Sequence, residues 1–295
     1  MPLYSPKEVA QLLKRYHIQP KKNLGQNFLV DGNIVRKILE IADIRPGDRI
    51  LEVGPGLGTM TVEMASQGGC VIAIEIDPDL NKILAETMSP YKNVKLIHED
   101  AMQLDYNTLE EKFPCLDQNT EDHPVKVVAN LPYNIAAPLV VKLATSALPL
   151  EKLVLMVQKE VARRFAAKPN TKDYGAISVL LQYYFIIEEA FTVSPKVFYP
   201  QPRVDSAVLR LLNQESPPVH VDDEKKFFQF IRRAFNQRRK TLVNNILPLY
   251  KGNKQELMQT LEQNNFSPRI RGESLTLEEF AQIFKILYNN IYEAG

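Results

Sequence analysis

The sequence predicts an α/β fold with a mostly parallel sheet, followed by a small all-helical domain. Three observations support this prediction. Short apolar runs alternate with segments of helical spacing through the first half of the chain, a glycine-rich turn joins one apolar run to a helix, and helical segments follow Pro217 and Pro218. Strands that alternate with helices are typical of parallel sheets, because each parallel crossover needs a long connection.

Five short apolar runs are predicted to be buried parallel strands, with helices between them. Their residues are largely apolar without strict alternation, as expected for strands that are covered on both faces. They are Arg49–Val53, Val71–Ile74, Val94–His98, Val125–Ala129 and Leu153–Val157.

Two later strands, Ile186–Val193 and Ala207–Leu212, have no long helix between them. This arrangement predicts an antiparallel pair at the end of the sheet. A polar insertion, residues 113–124, precedes the strand at Val125–Ala129 and is predicted to be an exposed loop without a chemical role.

The clearest linker in the chain is 215–218, because consecutive prolines interrupt both helix and sheet. We therefore predict two domains, residues 1–215 and residues 216–295. Helical spacing recurs throughout the second of these. The predicted helices are Asp222–Phe235, Gln237–Leu247, Lys254–Asn264 and Thr276–Ile291.

The positions of the positive charges along the chain are more informative than the net charge. The chain has 295 residues, 45% hydrophobic and 24% charged, and a net charge of only +1. Seven basic residues nevertheless follow one another without an intervening acid, and a second basic stretch, 152–172, is interrupted only by Glu160. Such stretches predict a surface that follows phosphates, although a solvated helix face would show the same pattern. The seven are Lys225, Lys226, Arg232, Arg233, Arg238, Arg239 and Lys240.

The cysteines and histidines do not indicate a metal site. Cys70 and Cys115 have no second cysteine at metal-binding spacing, and the four histidines are scattered. This usage predicts a reducing compartment and no bound metal. No run approaches the ~18 apolar residues of a membrane span, and the amino terminus lacks the apolar stretch of a secretory signal. We expect a cytoplasmic protein that does not enter a membrane.

The first candidate site is the turn from Glu52 to Thr59, between a predicted strand and a predicted helix. Its glycines permit positive φ and bring backbone N–H groups and a helix start close to a ligand. Glu75 ends the next strand, 21 positions after Gly54, and this spacing suits a carboxylate that binds ribose hydroxyls. Nicotinamide and flavin proteins share the pattern, and a tight structural turn would also produce it.

Two details favour S-adenosylmethionine over a dinucleotide. The glycines follow the pattern Gly-x-Gly-x-Gly, and Glu52 lies two positions before the first of them. S-adenosylmethionine has no pyrophosphate to bind, and its ammonium group favours a nearby carboxylate.

The second candidate site is Asn130-Leu131-Pro132-Tyr133, directly after a predicted strand. An exocyclic base amine is a poor nucleophile, because its lone pair is delocalised into the ring. An Asn oxygen and a backbone carbonyl in a turn stiffened by proline can accept both N–H bonds of such an amine, and the aromatic residue can stack on the base. An ordinary strand-ending turn is the alternative.

These motifs, in this order, resemble the ribosomal RNA adenine N6,N6-dimethyltransferases. The tail residues 234–242 and 271–275 are similar to the small-subunit branch of that family, known from kasugamycin resistance, and differ from the large-subunit resistance enzymes. The matching segments are 26–29, 54–58, 75–77, 99–101, 130–133 and 198–206.

The resemblance implies a Rossmann-like S-adenosylmethionine-dependent methyltransferase sheet with a helical RNA- and ribosome-binding domain. It implies S-adenosylmethionine as the methyl donor, without a metal, and two adjacent adenosines in the loop of the 3′-terminal hairpin of 16S ribosomal RNA as the target. The implied partner is the immature 30S subunit, with a role in ribosome biogenesis, and we expect a monomer.

The resemblance also implies a role for individual residues. Glu75 is expected to hold the ribose, Asp100 to accept from the adenine amine of the donor, and Asn130 to bridge donor and target. The residues expected to bind the donor are Asn27, Leu29, Glu52, Gly54, Gly56, Glu75, Asp100, Ala101 and Asn130. Those expected to act on the target base are Asn130, Leu131, Tyr133 and Phe198. Those expected to contact RNA are Lys225, Arg232, Arg233, Arg238, Arg239 and Lys240.

Several of these residues also have a structural interpretation. Asn27 could cap a helix near Asn33, Asp100 could be an ordinary helix N-cap, and Phe198 could be a packing contact in a loop. Two alternative functions remain open, a large-subunit resistance methylase and a non-catalytic RNA-binding relative. The intact Asn-Leu-Pro-Tyr turn disfavours the second of these, and the tail disfavours the first.

Overall fold

The computed structural model describes residues 4–115 and 124–292. The chain divides into two compact units, Met1–Ala162 with Ile187–Asn213, and Arg163–Ile186 with Gln214–Gly295. The second unit therefore includes Arg163–Ile186, which the sequence analysis assigned to the first domain. The assignment of catalysis to one domain and RNA binding to the other stays a prediction. Residues 116–123 of the predicted polar insertion lie outside the described residues.

Within the described ranges, the first unit is built on a seven-stranded sheet and a two-stranded sheet. The large sheet has the order β4-β3-β2-β5-β6-β9-β7, in which β4, β3, β2, β5 and β6 are parallel and β9 runs antiparallel to β6. The strands are β1 (Phe28–Leu29), β2 (Arg49–Val53), β3 (Cys70–Glu75), β4 (Val94–His98), β5 (Val125–Asn130), β6 (Leu150–Gln158), β7 (Phe185–Val193), β8 (Phe198–Tyr199) and β9 (Ser206–Asn213).

All seven predicted strands are confirmed, and the predicted last pair, β7 and β9, lies together at one edge of the sheet. The α/β class and the Rossmann-like order are confirmed as well. The short pair of β1 and β8, with Leu29 opposite Phe198, was not predicted, because two residues are too few to show a period.

Local hydrogen bonds and backbone conformation determine where the helices between the strands begin and end, as the second helix shows. Asp31 caps α2 by accepting from the backbone N–H of Asn33 at 2.8 Å, and the helix ends at Ala42, because Asp43 after it has a φ of 49°. In chain order, the helices as far as Phe165 are α1 (Pro6–Arg15), α2 (Gly32–Ala42), α3 (Thr59–Ser66), α4 (Asn81–Met88), α5 (Ala136–Ala144) and α6 (Lys159–Phe165).

Two clusters of buried side chains hold the first unit together. One joins α2 and α3 to the sheet, with Ile38, Met64 and Val128 at 1% exposure or less. The other joins α1 and α4 to Phe28 and Leu57, which lie beside the glycine-rich turn. Burial of each such side chain stabilises the fold by roughly 1.5–3 kcal/mol, so the turn is fixed on a rigid base.

The second unit is helical and has an aromatic core. The rings of Phe227 and Phe284 are 5.2 Å apart between centroids, and those of Phe230 and Phe284 are 5.8 Å apart. Its helices are α7 (Ala176–Tyr184), α8 (Glu224–Ala234), α9 (Leu242–Ile246), α10 (Lys254–Gln263) and α11 (Leu277–Leu287). Within the described ranges, no helix of either unit is long and apolar enough to cross a membrane.

The helix predicted over Gln237–Leu247 is wrong in its first half, because α9 begins only at Leu242. The buried side chain of Asn245 donates to the carbonyls of Ala234 at 2.7 Å and Gln237 at 3.1 Å. Its own oxygen accepts from the N–H of Gln237 at 3.2 Å. These bonds hold the backbone after α8 in a turn, because a side chain supplies the partners that a continuous helix would have supplied.

Candidate active site

A cavity of about 270 Å³ opens at the carboxyl ends of β2, β3 and β5. These strands are neighbours in the sheet, and the chain order changes direction between β2 and β5. Open α/β sheets bind their ligands at such a switch point, because the loops that follow the strands diverge there. The lining segments include 24–29, 52–57, 74–76, 99–102 and 130–135.

This cavity brings together residues that are more than a hundred positions apart in the chain. Every residue predicted to bind the donor lines it, and so do Leu131 and Tyr133 of the target-binding set. The binding role of each residue stays a prediction, whereas their common location is a property of the fold.

The glycine-rich turn supplies one wall of the cavity. Gly54 and Gly56 have φ values of 72° and 61°, in the left-handed region that favours glycine. A Cβ atom on Gly56 would lie 3.0 Å from Cδ1 of Phe28, which itself lines the cavity. The turn therefore depends on glycine for both its backbone conformation and its close packing.

Glu52 is a fully buried carboxyl group at the floor of the cavity. Its Oε2 accepts from the hydroxyl of Thr61 at 2.5 Å, while its Oε1 is buried and has no hydrogen-bond partner among the described residues. Burial, opposed by the bond from Thr61 and aided by the nearby Glu75, raises the pKa of Glu52 to about 8. A positively charged ligand would satisfy this oxygen and favour the ionised form.

Glu75 lies at the end of β3 and is 6% exposed. Its Oε1 accepts from the backbone N–H of Asp77 at 2.9 Å. Burial raises the pKa of Glu75 to about 7, although backbone N–H groups, including that of Gly56, oppose the rise. A carboxyl group held in this way can accept bonds from a vicinal pair of hydroxyls, as a ribose presents.

Asn130 is the last residue of β5, and it contacts the part of the cavity wall that residues 24–29 form. Its Nδ2 donates to the carbonyl of Asn27 at 3.2 Å, and the N–H of Leu131 donates to the carbonyl of Met156 at 3.0 Å. With its amide nitrogen engaged, Asn130 has its Oδ1 available as an acceptor. Asn27 donates to the carbonyl of Gly25 at 3.0 Å, and the cap of α2 is Asp31, so Asn27 is not a helix cap.

Tyr133 and Phe198 differ in their surroundings. The Tyr133 hydroxyl is 3.1 Å from Oγ of Ser206, and burial raises its pKa. Phe198 is 4% exposed, packs with Leu29 in the core, and is not part of the cavity wall. In this structure a base cannot reach the face of the Phe198 ring unless the ring moves. Its stacking role stays a prediction.

Asp100 caps a turn and not a helix. Its Oδ1 accepts from the N–H of Met102 at 2.8 Å, and residues 101–104 form a turn. The adjacent Ala101 is buried, and its carbonyl accepts from the hydroxyl of Tyr106 at 3.0 Å. The second carboxylate oxygen of Asp100 remains available to a ligand, since Oδ1 alone serves the turn.

The residues predicted to contact RNA fall into two groups within the second unit. Arg238 donates to Glu273 at 2.5 Å and to the carbonyl of Thr171 at 3.0 Å, and Arg233 donates to the carbonyl of Asn245 at 3.0 Å. These two arginines stabilise the unit that carries them. The second group is exposed, as Arg238 also is, but forms no such bonds among the described residues, and it consists of Lys225, Arg232, Arg239 and Lys240.

Two contacts at the site were not predicted from the sequence. Thr61 donates to Glu52, and Asp77 connects Glu75 to the amino-terminal segment. Asp77 lies in the segment that carries the family resemblance, so the motif could have suggested it, whereas nothing in the sequence distinguishes Thr61. Among the described residues, no three His, Cys, Asp or Glu side chains are placed to hold a metal ion.

Comparison with known proteins decides the family. Residues 18–288 match the family described as ribosomal RNA adenine dimethylase. The chain belongs to this family. It is therefore an enzyme, and the resemblance found in its sequence is confirmed.

Relatives across the family match nearly the whole chain. A protein named Ribosomal RNA small subunit methyltransferase A from Natranaerobius thermophilus is 52% identical over 99% of both chains. One of the same name from Geobacillus kaustophilus is 46% identical over 96% of both.

Solved structures share the fold. A dimethyladenosine transferase from Plasmodium falciparum has a TM-score of 0.72 at 23% identity and covers 89% of this chain and 98% of its own. The 23S rRNA methyltransferase ErmE has a TM-score of 0.64 at 25% identity and covers 89% of this chain and 100% of its own.

Proposed function

We propose that this enzyme transfers methyl groups from S-adenosylmethionine to the N6 amine of two adjacent adenosines of 16S ribosomal RNA, within the immature small subunit. One observation carries the proposal. A single cavity combines the buried carboxyl group of Glu52, one oxygen of which has no partner among the described residues, with a second buried carboxyl group and the Asn-Leu-Pro-Tyr turn. The name of the relatives at 52% and 46% identity supports the small subunit as the substrate.

The residues of the cavity fit the donor. The unpartnered Oε1 of Glu52 suits a cationic group, Glu75 suits the ribose hydroxyls, and the turn at Gly56 admits a ligand close to the backbone. Ile76 is 50% exposed and lines the same cavity, so it offers an apolar surface to a purine ring. S-adenosylmethionine supplies an activated methyl group on a positively charged sulfur.

The chain contributes alignment and a change in the electronic state of the amine. Oδ1 of Asn130 accepts one N–H of the target amine, and a backbone carbonyl of the turn accepts the other. These bonds draw the nitrogen toward a tetrahedral shape, which frees its lone pair to attack the methyl carbon as the carbon–sulfur bond breaks. The amine then loses a proton to solvent, and the sulfur leaves as a neutral thioether.

A second methylation of the same nitrogen needs only one of these acceptors, because a monomethylated amine keeps a single N–H. The target adenosine must be unpaired or flipped out of its helix, since a cavity of this kind cannot reach an amine inside a duplex. A hairpin loop near the 3′ end of 16S ribosomal RNA satisfies this condition at the lowest cost.

The test uses the full chain with isotopically labelled S-adenosylmethionine and immature small subunits, with large-subunit RNA and the isolated hairpin as parallel substrates. Mass spectrometry of the nuclease-digested RNA is expected to show dimethyladenosine at two neighbouring sites, four methyl groups per particle and little product on the hairpin alone. Product confined to monomethyladenosine, or formed only in large-subunit RNA, would overturn the proposal.

A further inference from the structure

Asp77 is a fully buried carboxylate just beyond the end of β3, and the mechanism above does not use it. Its Oδ1 forms an ion pair with Nζ of Lys21 at 2.6 Å, and its Oδ2 accepts from Nε2 of Gln26 at 2.6 Å. Both partners belong to the amino-terminal segment 21–27. One carboxylate therefore binds this segment at two points.

The segment is also closed on itself. The Oε1 atom of Gln26 accepts from the backbone N–H of Lys21 at 2.7 Å, and Nζ of Lys21 reaches Asp79 at 2.6 Å. The side chain of Gln26 thus connects the start of the segment to Asp77. Burial by itself raises the pKa of the Asp77 carboxyl, but the bonds from Lys21 and Gln26 hold the pKa below its ordinary value.

Asp77 touches both sides of the donor cavity. Its backbone N–H donates to Glu75, which is proposed to hold the ribose. On the other side, Gln26 lines the cavity and precedes Asn27, whose carbonyl accepts from Asn130. The carboxylate of Asp77 therefore fixes the position of the segment that carries Asn27, while the backbone N–H of the same residue orients Glu75.

Stability alone does not account for this arrangement. An ion pair with a buried carboxylate contributes little net stability, because the cost of removing that charge from water offsets the attraction to its partner. Breaking it by removing one partner is nevertheless costly, so the segment is held in one position. The benefit of such a pair lies in a defined geometry.

We propose that Asp77, Lys21 and Gln26 form a latch that holds segment 21–27 against the donor cavity and thereby sets the affinity for the methyl donor. Asp77 is a positioning residue, since its carboxylate acts through Lys21 and Gln26. The inference rests on the proposed function insofar as it names S-adenosylmethionine as the ligand of the cavity.

The test compares Asp77→Asn, Lys21→Met and Gln26→Ala with the wild type. Arg15→Met is the matched control, because Arg15 forms an exposed ion pair with Glu86 in the same unit. Calorimetry is expected to show about tenfold weaker binding of S-adenosylmethionine for each latch variant and no change for the control, since about 1.4 kcal/mol separates each tenfold in affinity. The KM for the donor should rise while kcat at saturating donor stays near the wild-type value.

A second readout needs no ligand. Trypsin cleaves after Lys22 in the segment, so cleavage in the absence of donor should be faster in Asp77→Asn and Gln26→Ala than in the wild type. Thermal unfolding of each variant identifies any that fails to fold. Lys21→Met is expected to destabilise the fold least, because the Lys21 side chain is 33% accessible.

Donor affinity within twofold of wild type in all folded variants, together with unchanged cleavage, would overturn the latch. If instead the wild type binds no S-adenosylmethionine, the proposed function fails, and the cleavage rates still decide whether the latch holds the segment.

Discussion

Glu52 and Glu75 are two buried carboxyl groups on the same cavity, and their protonation links this site to pH. Burial raises the pKa of Glu52 to about 8 and that of Glu75 to about 7. The folded protein therefore holds protons that the unfolded chain releases at lower pH. The free energy of unfolding should fall as pH rises from about 5 to about 8 and level off above this window.

Glu52→Gln should flatten this pH dependence, because a neutral amide has no proton to release. Urea unfolding at several pH values, for the wild type and the variant, measures the two slopes. Glu86→Gln is the control, since Glu86 is exposed and lies outside the cavity. Equal slopes for the wild type and Glu52→Gln would show that this carboxyl ionises normally in the fold.

We expect the chemistry of transfer to depend most on Asn130. Asn130→Ala should lower the rate of methyl transfer by roughly a hundred- to a thousandfold, the usual cost of losing one oriented hydrogen-bonding group at a reacting centre. RNA affinity should stay nearly unchanged. Single-turnover rates and RNA titrations measure the two effects, with the exposed Asn33→Ala as the control. Transfer at a near wild-type rate would remove Asn130 from the mechanism.

In the glycine-rich turn between β2 and α3, the effect of backbone conformation can be distinguished from the effect of packing against neighbouring residues. Gly56 and Gly47 both have positive φ, at 61° and 89°. A Cβ on Gly56 would meet Phe28 at 3.0 Å, whereas a Cβ on Gly47 would meet no atom within 4 Å. The two positions therefore share backbone strain but differ in contact with the cavity.

Gly47→Ala should lower the free energy of unfolding by about 1 kcal/mol, the cost of a left-handed conformation at a residue with a Cβ, and Gly56→Ala should lower it by more, because its Cβ would also press on Phe28. Only Gly56→Ala should also weaken binding of S-adenosylmethionine. Chemical denaturation and calorimetry on the same samples distinguish the two effects. Loss of donor binding in Gly47→Ala as well would point to a general effect on the fold.

For the molecule as a whole, we expect the exposed basic residues of the second unit to determine how RNA binding depends on salt. Replacing Arg232 and Arg239 with Gln should reduce the slope of log affinity against log salt by about 0.7–0.9 for each phosphate that is no longer neutralised. Donor binding should not change. Filter binding of RNA at several salt concentrations measures the slope, and an unchanged slope would make these arginines an ordinary solvated face.

Arg238→Gln should behave differently from these two. Its bonds to Glu273 and to the carbonyl of Thr171 lie within the second unit, so its loss should lower the free energy of unfolding by roughly 1 kcal/mol. Thermal unfolding of the variant provides the measurement. If the variant is as stable as the wild type and the slope of log RNA affinity against log salt is reduced, Arg238 belongs with the residues that contact RNA.

The strands, the glycine-rich turn and the family could all be predicted from the amino-acid sequence. These features depend on local order along the chain: the apolar period of a strand, the need for glycine at positive φ, and motif residues only a few positions apart. The grouping of Asn27, Glu75 and Asn130 at one site also followed from the sequence, because the family resemblance implied it.

Which side chains are already engaged could be learned only from the folded chain. Arg238 and Arg232 have the same sequence signature and both are exposed, yet Arg238 pairs with Glu273, and the structure shows no such ion pair for Arg232 among the described residues. Asn245 ends α8 through contacts that no helical pattern reveals. Asp77 meets Lys21 across 56 positions of chain. Such pairings depend on how distant segments pack, and a single sequence carries no local sign of that packing.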